Sequence, residues 1–175
     1  MLEILEVIQL GHPILRSQAY NVDNIHSPQV QSLIDNLLTT VIAANGVGIA
    51  APQVAVRDRL FIVASRPNPR YPNAPQMEPT AMINPQILAY SPKLIPGWEG
   101  CLSIPGIRGL VPRYQTIEVQ YSDRTGKLHK QEFTDFVARI FQHELDHLDG
   151  IVFIDCLQST QDLITEQEYQ KLHPV

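Results

Sequence analysis

The chain has 175 residues, 44% of them apolar and 18% charged, enough to build one ordinary hydrophobic core, and it reads as a single domain over residues 1–175. Thirteen basic against eighteen acidic side chains leave a net charge of −5 with no basic block, which argues against DNA or RNA phosphates as the main partner. No apolar run approaches the roughly 18 residues of a membrane span, and two cysteines, Cys101 and Cys156, are too few for a disulfide framework; the expectation is a cytoplasmic protein without membrane contact.

The opening MLEILEVIQL carries Glu3 and Glu6 and lacks the basic flank of a secretory signal. Ser27-Pro28 offers an N-cap followed by proline at the first helical position. Val30, Leu33, Ile34, Leu37, Leu38, Val41 and Ile42 then recur at helical spacing up to Gly46, which predicts an amphipathic N-terminal helix. Next, Gly46-Val47-Gly48-Ile49-Ala50-Ala51-Pro52-Gln53 sets two alternating glycines and two alanines on a backbone that an extended peptide can approach closely. It lacks the third glycine and preceding strand of a dinucleotide fingerprint, and a tightly packed loop also accounts for it.

LFIVA at 60–64, MINPQIL at 82–88 and TIEVQYS at 116–122 read as strands, the last leading through Asp123-Arg124-Thr125-Gly126 to a hairpin partner, KLHKQEF. Eight of the 14 prolines fall between residues 67 and 96, and RPNPRYPNAPQMEP reads as a stiff, extended surface loop. Cys101 sits in WEGCLSIPG, bracketed by Gly97, Gly100, Pro105 and Gly106, where the backbone can turn sharply and leave the sulfur accessible. DFVARIFQHELDHLDG predicts a helix from about Asp135 to Leu148, with Gly150 capping its C-terminus and Ile151-Val152-Phe153-Ile154 following as a short strand. Phe136, Val137, Ile140, Phe141, Leu145 and Leu148 cover more than half of that helix, which marks it as central and buried. TEQEYQKL reads as a surface helix with a solvated acidic face.

The buried helix contains His143-Glu144-Leu145-Asp146-His147, the H-E-x-x-H pattern. Residues four apart share a face, so the two imidazoles can converge on one cation while Glu144 reaches a water beside it, as metal-assisted amide hydrolysis requires. Leaving these side chains buried and unpaired would cost several kcal/mol. The third ligand is open. A metzincin would need histidine where Phe153 stands, a gluzincin-like peptidase would use Glu166 or Glu168, and Cys101 offers a thiolate upstream. Cys101 is favoured, against a buried turn thiol, because the helix still needs one ligand; Cys156, in IVFIDCLQ, reads as a core thiol. A binding module that merely uses the ion to hold its fold is disfavoured by the poised Glu144.

Taken in order, GVGIAAPQ, EGCLS and QHELDH resemble the three motifs of the peptide deformylase family, metal hydrolases that remove the formyl group from the N-terminal formylmethionine of new bacterial and organellar proteins. GHPILR, with His12 where many relatives have aspartate, the SIP-to-VPR stretch ending at Arg113, and HLDG extend the likeness over nearly the whole chain. The resemblance implies an α+β fold, antiparallel β-sheets surrounding a central metal-binding α-helix, with an N-terminal and a C-terminal helix. It implies Cys101, His143 and His147 as metal ligands, Glu144 as acid and base, and the Gln53 amide with the Leu102 backbone N–H as oxyanion donors. Glu99 paired with Arg113 would support the Cys101 loop.

The implied cofactor is one divalent ion, Fe²⁺ natively, with Zn²⁺, Ni²⁺ or Co²⁺ also suited to the donors. The implied partners are N-formylmethionyl nascent peptides and, transiently, the ribosome. The tail QSTQDLITEQEYQKLHPV sets one lysine against Asp162, Glu166 and Glu168, which argues against docking on ribosomal RNA through that segment. Counting back from His143, Ile140, Arg139 and Phe136 share its face and, with Val47, suit an apolar slot for methionine, Arg139 standing at the rim with its guanidinium toward solvent. Backbone at Val47 and Gly48, beside Gly46, would hold the peptide as an added strand.

Overall fold

The computed structural model describes residues 2–173. Helix α1 (Pro28–Ala43) begins as its sequence dictates: the Ser27 side chain accepts the Val30 N–H, and Pro28 occupies the first turn. Eight strands follow among the described residues: β1 (Gly48–Ala50), β2 (Leu60–Val63), β3 (Thr80–Tyr90), β4 (Leu94–Cys101), β5 (Ile104–Tyr114), β6 (Thr116–Ser122), β7 (Leu128–Thr134) and β8 (Leu163–Thr165). Helix α2 (Asp135–Leu148) separates β7 from β8, and α3 (Glu166–Leu172) closes the order. The strands form two antiparallel sheets, one ordered β1-β2-β3-β6-β7 and one ordered β4-β5-β8.

The five-stranded sheet lies between the two long helices, and this explains the unbroken apolar run of β2. Leu60 and Ile62 join the cluster of Ile34, Leu37 and Val41 from α1, whereas Phe61 and Val63 join Ala138, Phe141 and Leu148 from α2. A strand covered on both faces loses the usual apolar-polar alternation. Phe61 and Phe141 meet edge to face with ring centroids 5.1 Å apart, a contact that locks α2 onto the sheet. Gly150 stops the helix in the left-handed region (φ +74°), and a Cβ there would stand 2.8 Å from the Arg16 backbone.

Two expectations change. Residues 151–154 do not form a strand: Phe153–Cys156 is a 3₁₀ turn, entered where the Asp155 carboxylate accepts the Val152 N–H at 2.9 Å. The Cys101 region, read as a sharp-turning segment, is the turn of a long β4–β5 hairpin that carries Pro96, Pro105 and Pro112. Pro96 lies opposite Pro112. That pair has the parity of Gly100 and Tyr114, whose N–H groups point away from the ladder to Tyr71 Oη and Gln142 Oε1, so the hairpin loses no hydrogen bond to either proline. The proline-rich loop between β2 and β3 is free of helix and tied down, with the Met77 N–H on the Ser65 carbonyl (2.9 Å) and the Ser65 hydroxyl on the Pro75 carbonyl (2.6 Å).

Candidate metal centre

Helix α2 turns His143, Glu144 and His147 toward the end of β4, where Cys101 sits. One ligand atom each from Cys101, His143 and His147 lie within 4.8 Å of one another, and all three residues are buried. Cys101 Sγ stands 3.3 Å from His147 Nε2. His143 Nδ1 lies 2.9 Å from Glu99 Oε2, so the carboxylate favours the hydrogen on Nδ1 and leaves Nε2 available to an ion. His147 Nδ1 and Glu144 Oε2 are buried with no protein partner. A soft thiolate, two imidazoles and an unpartnered carboxylate oxygen in one buried cluster fit a divalent transition ion with an open coordination position.

Burial alone would raise the Cys101 thiol, but His147 and His143 beside it hold it well below the ordinary range. Burial pushes the Glu144 carboxyl up to about 7, against the pull of His143 and His147. The two glutamates proposed as rival ligands are engaged elsewhere. Glu166 accepts from Arg108 Nε (2.7 Å) and Nη2 (3.1 Å), and Glu168 pairs with Lys171 at 2.6 Å. The acidic face of α3 is thus not wholly solvated, because Glu166 neutralises a buried arginine.

Behind His143, Glu99 is a hub. It accepts from Arg113 Nε (2.9 Å) and Nη2 (3.0 Å), Arg139 Nη1 (2.8 Å) and His143 Nδ1 (2.9 Å). Burial works against the charge, yet Arg113 and the His143 hydrogen bond keep the carboxyl well below its usual range. Arg139 is therefore not at a rim reaching solvent. Its guanidinium turns inward to Glu99 and to the carbonyls of Val111 (2.8 Å), Ile95 (2.6 Å) and Gly97 (3.4 Å), where four acceptors outweigh hydration of the head group. Gly97 makes the room: a Cβ there would be 2.6 Å from Arg139 Cζ.

The cleft over the cluster is lined by Gly46, Val47, Gly48, Gln53, Leu102, Phe136, Arg139 and Ile140. Gln53 Oε1 accepts the Ala50 N–H (2.9 Å), which aims Nε2 at Cys101 Sγ (3.4 Å) and Ser103 Oγ (3.2 Å). Leu102 follows Cys101 in the hairpin turn. Strand β1 is a sheet edge. The Val47 carbonyl is taken by the Ala64 N–H (2.8 Å), so the edge expected at Val47 and Gly48 narrows to Gly48, whose polar backbone groups face away from β2. The Gly46 N–H is likewise taken, by the Val41 carbonyl at 2.9 Å. Gly48 has no room for a side chain, since a Cβ would stand 2.4 Å from Glu144 Oε1.

Residues 4–162 match the family described as polypeptide deformylase. The chain belongs to the polypeptide deformylase family. It is 66% identical over 170 residues to peptide deformylase 2 of Nostoc sp., covering 97% of this chain and 95% of the relative. It is 46% identical over 164 residues to peptide deformylase 2 of Shewanella oneidensis, covering 94% and 90%. Among solved structures, the Met-Ala-Ser-bound class I type b peptide deformylase of Acinetobacter baumannii superposes with a TM-score of 0.87 at 45% identity, covering 90% of this chain and 100% of that one. The peptide deformylase of Thermotoga maritima gives 0.80 at 32% identity, covering 90% and 99%.

The deformylase fold also uses motif residues that sequence reasoning left unassigned. Gln142 bonds both the N–H (3.0 Å) and the carbonyl (2.9 Å) of Tyr114, which fixes α2 to the end of β5. Asp146 accepts from Arg113 Nη1 at 2.6 Å. Their signal was available: each is a polar residue on a helix too apolar to leave it unpaired. Cys156 is a half-buried thiol against Arg113 and Asp146, pushed up to about 11 by burial and the Asp146 charge.

Proposed function

We propose that this site hydrolyses the formyl amide of N-formylmethionyl peptides, releasing formate and a free amino terminus. The observation that carries the reading is the buried Cys101, His143 and His147 cluster with the unpartnered Glu144 oxygen beneath a free strand edge. A divalent ion would be held by these three side chains and would supply Lewis acidity toward the water and the formyl carbonyl. Glu144 takes the water's proton as the water oxygen bonds to the formyl carbon, and delivers it to the amide nitrogen as the C–N bond breaks, releasing formate and the free amine. Gln53 Nε2 and the Leu102 N–H donate to the carbonyl oxygen as it gains charge. The Gly48 N–H and carbonyl bind the peptide backbone as an added strand, and Val47, Phe136 and Ile140 surround the methionine side chain.

Arg113 and Arg139 act through Glu99, which orients His143. Fe²⁺ is the native ion in this reading, and Zn²⁺, Ni²⁺ or Co²⁺ suit the same donors. The reaction belongs to the cytoplasm, in transient encounters with nascent chains at the ribosome. No helix among the described residues is long and apolar enough to cross a membrane.

The test is formate release from formyl-Met-Ala-Ser by protein purified anaerobically with ferrous iron. Equal yields of formate and Met-Ala-Ser are expected, and absence of formate would overturn the reading. Cys101→Ala is expected to lose the ion and Glu166→Ala to keep it; the reverse would favour the gluzincin-like ligand set.

A further inference from the structure

The proline-rich loop holds one cationic side chain at the mouth of the cleft. Asn68 Oδ1 accepts the backbone N–H groups of Arg70 (2.9 Å) and Tyr71 (3.1 Å), and the Arg70 carbonyl accepts from Arg108 Nη2 (3.2 Å). Tyr71 rests on Phe136 with ring centroids 5.3 Å apart, and its hydroxyl accepts the Gly100 N–H at 3.3 Å. With its backbone and its neighbour fixed, Arg70 lies over Gly100, its Nη2 3.0 Å from where a Cβ would stand. It lines the same cleft as Cys101, Gln53 and Glu144.

Among the described residues the Arg70 guanidinium makes no hydrogen bond and no ion pair; its Cζ stands 5.8 Å from the centroid of the Tyr71 ring. The other arginines around the cleft are neutralised: Arg113 and Arg139 by Glu99 together with Asp146, which pairs with Arg113, and Arg108 by Glu166, which is already bidentate. A chain of net charge −5 thus keeps a cation without a bonded acid beside Gly100, the residue that precedes Cys101; the Glu166 carboxylate feels its charge but is bonded to Arg108 instead.

We propose that Arg70 is a specificity-determining residue that binds an acidic side chain at the second or third position of the peptide. The proposal rests on the deformylation reading. With the formyl group at the Cys101 cluster and methionine in its slot, each following residue of an extended chain advances about 3.3–3.6 Å along the cleft, past Gly48 and Gly100 and under Arg70. An exposed pair of this kind is worth a few-fold in affinity, and replacing a carboxylate by an ammonium adds repulsion, so Asp over Lys is preferred roughly fivefold.

The experiment compares kcat/KM for the amidated peptides formyl-Met-Asp-Ala, formyl-Met-Lys-Ala, formyl-Met-Ala-Asp and formyl-Met-Ala-Lys with iron-loaded protein. The wild type is expected to prefer Asp roughly fivefold at one of the two positions, and the preference to shrink at about 0.5 M salt, where the screening length is only a few ångströms. Arg70→Gln flattens the ratio and Arg70→Glu inverts it. No Asp preference at either position, or a preference that survives Arg70→Gln, overturns the proposal while leaving deformylation intact. No formate from any of the four peptides overturns the deformylation reading and this proposal with it.

Discussion

Gly48→Ala tests the coupling between the strand edge and the carboxylate proposed to move the proton, Glu144. The backbone at Gly48 lies outside the left-handed region, so alanine is not strained by φ; the conflict is steric. Its methyl group would stand 2.4 Å from Glu144 Oε1 and 2.9 Å from both Glu144 Cδ and Ile140 Cγ2, whereas ordinary contact begins at 3.4 Å. The carboxylate must therefore retreat by about 1 Å, a misplacement that costs on the order of 100-fold in rate, or about 2.7 kcal/mol of barrier. The N–H and carbonyl of residue 48 stay on the free edge, so the loss falls on kcat more than on KM. Overpacking removes about 1–3 kcal/mol of stability, and the ion stays bound because none of its ligands is displaced. Steady-state formate release, metal content and urea unfolding of the same preparation measure the three quantities. Wild-type kcat in Gly48→Ala, or loss of the ion, would refute the coupling.

Three further changes probe the supporting structure. Arg139→Met removes a partner of the buried Glu99 and leaves the Ile95 and Val111 carbonyls without its N–H groups, so urea unfolding is expected to report a loss of about 3 kcal/mol; a loss under about 1 kcal/mol would contradict that role. Glu166→Gln weakens the hold on buried Arg108. Because the Arg108 hydrogen bond holds the Glu166 carboxyl below its ordinary 4.5, the pairing contributes stability above pH 4.5 and loses it as the pH falls further. The unfolding midpoints of wild type and Glu166→Gln should differ at pH 7 and converge in acid, and a pH-independent difference would exclude this linkage. Phe141→Ala removes the ring packed on Phe61 and is expected to cost about 3–5 kcal/mol, with an effect below 1 kcal/mol placing the contact outside the core.

Much of the architecture was legible because its signals are local. Ser27-Pro28 and Gly150 bound their helices chemically, and the 3.6-residue apolar pattern marked α2 as buried, so the H-E-x-x-H residues read directly as a site. The β4–β5 hairpin was not legible, because prolines weaken a strand reading unless their pairing parity is known, and parity is a tertiary fact. The same holds for Arg139. Its helical position put it on the face of His143, but only the fold brings Glu99 and two strand carbonyls within its reach, so burial replaced the solvated rim that its charge suggested. The free edge at Gly48 and the Arg70 loop likewise depend on contacts between segments far apart in sequence.

In the proposed reaction Glu144 moves the proton at a metal centre held by Cys101, His143 and His147. That role is tested most directly by the formate turnover of Glu144→Ala measured at full metal occupancy. The protein should carry one ion per chain, as the wild type does, with turnover lowered by at least about 100-fold, the scale of a lost general acid–base group. Wild-type turnover in a metal-replete Glu144→Ala protein would contradict it.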